Sequence, residues 1–527
     1  MLRDLLIALS LSNLCFLRIW NELFNGKLVY YALVPPTHQL LGVVLNVFLL
    51  ALVFWTGAQL ARRSQRPALL RLARWAFLLV VLANFRVFYL VLFTWGRWGW
   101  VAGFSALLLL VAALYLLARW EVRLAHALAV LLLILSPFIA VTFYQDIALA
   151  VRVSRMSFAD PPPAPLLPPR PGAPRIVWLV FDELDQRLIY DQRPGSVHLP
   201  EFDRLRAQSL SAEHAFAPAR ATEMAMPALI SGRLVSKAEP RGSSELMVTY
   251  GDSGPPLPWS RQPNLFSAAR ALGFNTALVG WYHPYCRVIG ASLNSCAWFD
   301  GPLLRGALQR QAPLADVMKQ QAADVLITML GANKVGVDPR MVNRAEREEE
   351  VRDHLAILTQ GQRLAADPAL GLVLVHLPVP HPVGIWDRRR HAFQVSGESS
   401  YLDNLELTDR ALGELRQAME SAGLWDSSTV VVSGDHWWRA EIWSRLDSLT
   451  GEEAAVAPAL PDHRVPFVVK LPDEKEPLAY QPEMNTVLTH DLLLALLRGE
   501  VRTPQQAAAW LDQHRSLGDS PYNVLKK

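Results

Sequence analysis

The chain reads as an α-helical membrane domain of about five transmembrane helices, followed by an α/β domain with a mostly parallel central sheet. Three observations lead to that reading. The 527 residues are 51% hydrophobic, and the apolar excess lies in residues 1–150. A proline-rich stretch, Asp160–Pro174, divides the chain. Beyond it, short apolar strand-like runs alternate with helix-like ones, the pattern of a sheet covered by helices.

In the first part, the runs Leu40–Leu60, Trp75–Phe93, Trp98–Leu117 and Leu124–Phe143 are each near the ~20 residues a spanning helix needs. Leu5–Leu23 is a weaker fifth candidate because Asn13, Arg18 and Asn21 interrupt it. Arginines fix the orientation. Arg62, Arg63, Arg66, Arg71 and Arg74 follow the second run in order, and Arg119 and Arg123 follow the fourth. Placing both groups in the cytoplasm satisfies the positive-inside rule and delivers everything after Tyr144 to the outer face. The net charge of +3 is small, and much of the arginine surplus flanks apolar segments, which speaks against a nucleic-acid surface. Cys286 and Cys296 are either one disulfide in an oxidising compartment or two unrelated thiols.

The expected domains are residues 1–150 in the membrane, 151–175 as a bridge with a polyproline-type spacer, and 176–527 as an outer domain. Within the last, Ile176–Phe181, Asn275–Val279, Leu372–Val375, Thr429–Val432 and Phe467–Leu471 have strand character. Pro200–Ser209, Leu265–Leu272, Tyr401–Ala422 and Thr489–Leu497 have helical periodicity, and Gly273 and Gly423 stop two of them. Ligands of parallel sheets collect beyond the carboxyl ends of strands, so the polar residues just after strands matter most.

Those residues form a set. Asp182 and Glu183 follow the first strand; His283 comes soon after Asn275–Val279 and its neighbour Trp281. His376 and His381 follow Leu372–Val375, Asp435-His436 follows Thr429–Val432, and His463 precedes Val465-Pro-Phe. Singly, each is as well explained as a loop, turn or core residue; their coincidence at strand ends points to a metal site. Mixed carboxylate and imidazole ligation suits zinc or manganese better than calcium. Thr222 stands before the apolar run that ends in Ser231-Gly232-Arg233 and supplies a hydroxyl nucleophile. Arg388-Arg-Arg390 reads as a solvated charge run. No P-loop, GxGxxG or HExxH motif occurs.

Taken together, these segments resemble the sulfatase / alkaline-phosphatase-like superfamily over nearly all of Ile176–Leu497. The resemblance rests on Ile176–Glu183, on Leu199-Pro-Glu-Phe-Asp-Arg-Leu205, on Leu272–Gly280 followed by His283, on His376…His381, on Leu424–His436 and on His463-Arg-Val-Pro-Phe467. The helical N-terminal half resembles the plan of its membrane-bound phosphoethanolamine and phosphoglycerol transferases. Sulfatases carry a convertible Cys or Ser ten residues before the glycine of a Thr-Gly-Arg segment; the corresponding residue here is Thr222, and Trp281 replaces the sulfatase lysine. Formylglycine chemistry is therefore not expected.

The resemblance implies a divalent ion, zinc or manganese, held by Asp182, Glu183, Asp435 and His436, with Thr222 as metal-bound nucleophile. It implies His283, His381 and His463 as groups that bind phosphoryl oxygens or move protons, and His376 and Trp281 at the substrate. The implied reaction moves a phospholipid-derived headgroup to an envelope lipid or glycan acceptor, from a multi-pass protein of a bacterial-type inner membrane whose catalytic domain faces the periplasm or exterior. A membrane-bound phosphodiesterase or sulfuric ester hydrolase, with water as acceptor, is the alternative; a non-catalytic assembly partner is a lesser one.

Overall fold

The computed structural model describes residues 1–24, 26–92, 115, 119–168, 170, 172–251, 254–299, 312–330, 339–441, 444, 449–457 and 462–515. The chain divides into two compact units, Met1–Met156 with Gly306–Pro339, and Ser157–Arg305 with Arg340–Lys527.

The first unit is helical. Among the described residues, two helices are long and apolar enough to cross a membrane, Thr37–Arg63 and Pro67–Asn84 within Pro67–Leu92. Arg119–Ile134 and Pro137–Val153 add a third if the pair, bent by 43°, is one span. Five spans are not supported. Leu5–Leu23, expected as one span, is two helices, Leu2–Cys15 and the amphipathic Leu17–Phe24, which carries an exposed Arg18–Glu22 ion pair. The run Leu124–Phe143 breaks before Pro137, whose missing N–H and bulky ring end the preceding helix. Trp98–Leu117 lies outside the described residues apart from Tyr115.

A further helix of this unit, Leu314–Leu330, comes from the middle of the outer half of the sequence. It buries Val317, Gln321 and Val325, one stripe at a spacing of four, and packs on Thr37–Arg63. Asn46 Nδ2 donates to Met318 O (3.0 Å) and Gln321 Oε1 (3.1 Å), and Gln321 Nε2 donates to Gln39 O (3.0 Å). Gly42 permits the approach, because a Cβ there would stand 3.1 Å from Gln321 Oε1.

The second unit is built on an eight-stranded sheet. Its strands are β1 (Ile176–Asp182), β2 (Leu210–Ala212), β3 (Thr276–Trp281), β4 (Ser295–Phe299), β5 (Leu372–Pro380), β6 (Thr429–Gly434), β7 (Phe467–Lys470) and β8 (Leu478–Tyr480). The order is β8-β2-β7-β6-β1-β5-β3-β4, parallel except that β7 runs against both neighbours. β1 is buried along its whole length, as expected for a continuous apolar run in the middle of a parallel sheet. On one face, Val177, Leu179, Val373, Val375, Val430 and Val432 meet Leu405, Leu412 and Leu415 of the helix Tyr401–Ser421. That helix starts at a Ser400–Asp403 capping box.

The proline-rich segment lies along this unit. Ala164 N donates to Leu293 O (2.8 Å) and Arg170 Nη1 to Leu272 O (2.6 Å). Asn275 brackets Leu167, accepting from its N–H (2.8 Å) and donating to its carbonyl (3.0 Å). An extended chain without internal hydrogen bonds leaves its backbone groups open to such partners. Cys286 and Cys296 form a disulfide that ties the short helix Tyr285–Ile289 to β4.

Candidate active site

The carboxyl ends of β1, β3, β5 and β6 open onto one rim, and the nucleophile helix, Thr222–Ser231, brings Thr222 to it. This helix ends at Gly232 in the left-handed region (φ +68°), where His490 leaves no room for a Cβ. Thr222 is the first helical residue, so the positive end of the helix dipole favours negative charge on its oxygen.

Thr222 Oγ1 donates to Asp182 Oδ2 (3.1 Å) and lies 3.3 Å from His436 Nε2. His436 Nε2 is also 3.3 Å from Asp182 Oδ1 and 3.6 Å from Asp435 Oδ2. All four residues are buried. Asp435 is fixed through its other oxygen, Oδ1, which accepts from Glu183 N (3.1 Å) and His436 N (2.7 Å).

This arrangement fits a divalent cation. Among the described residues, Asp182 Oδ1 and Asp435 Oδ2 are buried and make no hydrogen bond, and Asp182, Asp435 and His436 form a group whose ligand atoms all lie within 4.8 Å of one another. Burial, then repulsion from Asp435 and Glu183, holds the Asp182 carboxyl well above the ordinary range. Burial likewise pushes Asp435 up to about 7. A cation between these oxygens removes both penalties. Burial and the nearby Arg439 charge keep His436 neutral, the form that can ligate a metal.

Glu183 has a different neighbour. Its backbone is left-handed (φ +62°), with its amide held by Asp435 and its carbonyl by Tyr401 Oη (2.6 Å). That conformation carries the side chain to Arg439, whose Nε donates to Glu183 Oε1, as does its backbone N–H (3.3 Å). Glu183 Oε1 lies 4.0 Å from His436 Nδ1.

The histidines are distributed around this centre. His283 Nε2 lies 3.1 Å from Thr222 O, behind the nucleophile. β5 runs through His376 to Pro380, so His376 sits inside the sheet, with Nδ1 2.9 Å from Tyr285 Oη. His381 is just past the strand end, edge-on to Trp281 with ring centroids 5.3 Å apart. Burial depresses both His376 and His381 to about 3, so both are neutral. His463 is half-buried and packs on Trp437 at 4.1 Å. Trp438 stacks on Tyr401 at 4.7 Å, and both tandem tryptophans are buried.

Sequence reasoning missed Arg439, Tyr285 and Tyr401. Arg439 carried a signal, a lone cation three residues after the Asp-His pair; the two tyrosines carried none.

No curated protein matches the sequence. Solved structures with related coordinates include the lipoteichoic acid synthase LtaP from Listeria monocytogenes (13% identity, 62% of this chain and 72% of that chain, TM-score 0.36). Others are an alkaline phosphatase superfamily protein from Vibrio parahaemolyticus (14%, 66% and 70%, TM-score 0.37) and the phosphonate monoester hydrolase of Agrobacterium radiobacter (13%, 62% and 74%, TM-score 0.35). Residues 176–441, just over half of the chain, match the type I phosphodiesterase / nucleotide pyrophosphatase family. That stretch runs from the first residue of β1 past Asp435, His436 and Arg439, and so includes every residue of the buried Thr222 centre. The chain is homologous to enzymes of the sulfatase/alkaline phosphatase superfamily and belongs to the type I phosphodiesterase / nucleotide pyrophosphatase family.

Proposed function

We propose that the protein is a membrane-anchored, metal-dependent transferase that cleaves a phospholipid phosphodiester at Thr222. It passes the headgroup phosphoryl, phosphoethanolamine or phosphoglycerol, to an envelope lipid or glycan. The observation that carries this reading is the buried convergence of Thr222 Oγ1 with Asp182 and His436 at 3.1 and 3.3 Å, beside two unpartnered carboxylate oxygens. The family match supports phosphodiester chemistry, and the apolar helices support a lipid donor confined to the same surface.

Asp182, Asp435 and His436 would hold the ion, zinc or manganese, which when bound lowers the pKa of a coordinated hydroxyl and neutralises charge on phosphoryl oxygens. The residues do the rest. Asp182 Oδ2 accepts a hydrogen bond from the Thr222 hydroxyl and so stands where it can take that proton. The bond from Thr222 Oγ1 to phosphorus forms as the bond from phosphorus to the diacylglycerol oxygen breaks, and the proton leaving Thr222 balances the one that oxygen takes up. The acceptor hydroxyl then repeats the exchange and frees Thr222. His283 steadies the Thr222 backbone from behind. Neutral His381, at the strand end, offers an N–H to phosphoryl oxygens rather than a labile proton. The outer domain would face the periplasm or exterior of a bacterial-type inner membrane.

Intact-mass and peptide analysis after exposure to labelled phospholipid tests this. A phosphoryl-headgroup adduct on Thr222, absent in Thr222→Ala, is expected and identifies the headgroup. Unchanged turnover in Thr222→Ala with no adduct in the wild type refutes it.

A further inference from the structure

Arg439 is a cation close to Thr222 whose role nothing above explains. Arg439 contacts Glu183 through Nε and through its own backbone N–H, and Nη1 donates to Arg220 O (3.4 Å), the residue two before Thr222. Nη2 meets no acceptor among the described residues. The Arg439 side chain is 15% exposed while Glu183 is fully buried.

We propose that Arg439 is a catalytic residue that binds the non-bridging oxygens of the phosphoryl group, and that Glu183 is its positioning residue rather than a metal ligand. This rests on the phosphodiester reading of the same site. A carboxylate already engaged by a guanidinium is a poor donor to a metal, and the left-handed backbone of Glu183, pinned at its amide and carbonyl, aims it at Arg439. Asp182, Asp435 and His436 then suffice as the metal group. The charges support the division of labour. Three buried carboxylates, one guanidinium and one divalent cation sum to zero, so an incoming phosphodiester brings the only uncompensated charge. Arginine suits that task because its planar fork matches two phosphoryl oxygens at once and stays charged at any working pH. A counter-ion for Glu183 alone would not need to sit beside the nucleophile.

The test uses full-length protein in detergent and measures Mn²⁺ and inorganic phosphate binding by calorimetry, with bis(p-nitrophenyl) phosphate turnover alongside. Arg439→Met takes the guanidinium from a buried carboxylate and risks misfolding, so Glu183→Gln/Arg439→Met, which removes both charges, accompanies it. Glu183→Gln is expected to bind Mn²⁺ within about threefold of wild type, while Asp435→Asn loses at least about tenfold. Arg439→Met and the double variant are expected to bind phosphate at least about tenfold more weakly and to raise KM, with Arg439→Lys intermediate. Loss of Mn²⁺ binding in Glu183→Gln equal to that in Asp435→Asn overturns the assignment of Glu183. Wild-type phosphate binding in both Arg439→Met variants overturns that of Arg439. Absence of a Thr222 adduct with these binding results intact would count against the nucleophile and not against Arg439.

Discussion

Asp435→Asn should make the metal-free protein more stable and the metal-loaded protein no more so. Asparagine keeps an oxygen for the amides of Glu183 and His436, which fixes its orientation and puts its NH₂ where the unpartnered Oδ2 stood. A negative charge is thereby removed from a fully buried group of three carboxylates with one guanidinium. The carboxyl, raised from its ordinary 3.8 to about 7, corresponds to roughly 4 kcal/mol of destabilisation once ionised. The native state binds this proton more tightly than the unfolded chain. Wild-type stability is therefore full below pH ~4, is lost as pH rises through about 7, and stays low above it. In chelator at pH 8, Asp435→Asn should melt several degrees above wild type, and the gap should close at pH 5. With metal at a thousandfold excess over its Kd, wild type gains about 4 kcal/mol by mass action while the variant, having lost a ligand oxygen, gains little. Thermal unfolding of the full-length protein followed by tryptophan emission, in chelator and in Mn²⁺, measures all four states. A variant less stable than wild type in chelator at pH 8, or an equal metal-induced shift in both proteins, refutes the reasoning.

Other outcomes follow from single contacts. Gly232→Ala forces a side chain into the left-handed region and within 2.7 Å of His490 Nδ1; it should cost about 2 kcal/mol or more and lower turnover by shifting the Thr222 helix, as melting and kcat would show. Asp409 caps the helix Pro200–Arg206 by accepting from Glu201 N and Phe202 N, and burial raises it to about 7. Asp409→Asn keeps an acceptor and cannot ionise, so its Tm advantage over wild type should grow from pH 5 to pH 8. Asn46→Leu removes two hydrogen bonds to the Leu314–Leu330 helix and should loosen it by about 1 kcal/mol; faster proteolysis between residues 305 and 340 would report it.

The fold of the second unit was legible because burial imposes it directly. A strand covered on both faces must be apolar throughout, as Ile176–Phe181 is, and each expected strand is present in the sheet. Boundaries were less legible. β5 continues through His376-Leu-Pro-Val-Pro380 because its neighbours bury it there, and that moves His376 from the rim into the sheet. The membrane half was over-read for the complementary reason. Hydropathy registers composition, while the breaks after Cys15 and before Pro137 depend on how the backbone continues. The helix Leu314–Leu330 was invisible, being too polar for a span; its partner surface on Thr37–Arg63, with Gly42 and Asn46, exists only once both are folded.

By itself the sequence determined an apolar helical half, an α/β half, and the residue types at its strand ends, because local chemistry and periodicity are properties of neighbouring residues. Only the tertiary structure decided how those residues are divided. Adjacent carboxylates look alike in sequence, yet the left-handed turn at Glu183 sends Asp182 to Thr222 and His436 and sends Glu183 to Arg439, 256 residues away. The direction of a side chain, not its identity, decides which neighbours it meets, and that direction is fixed by backbone contacts from β6 and the Tyr401 helix.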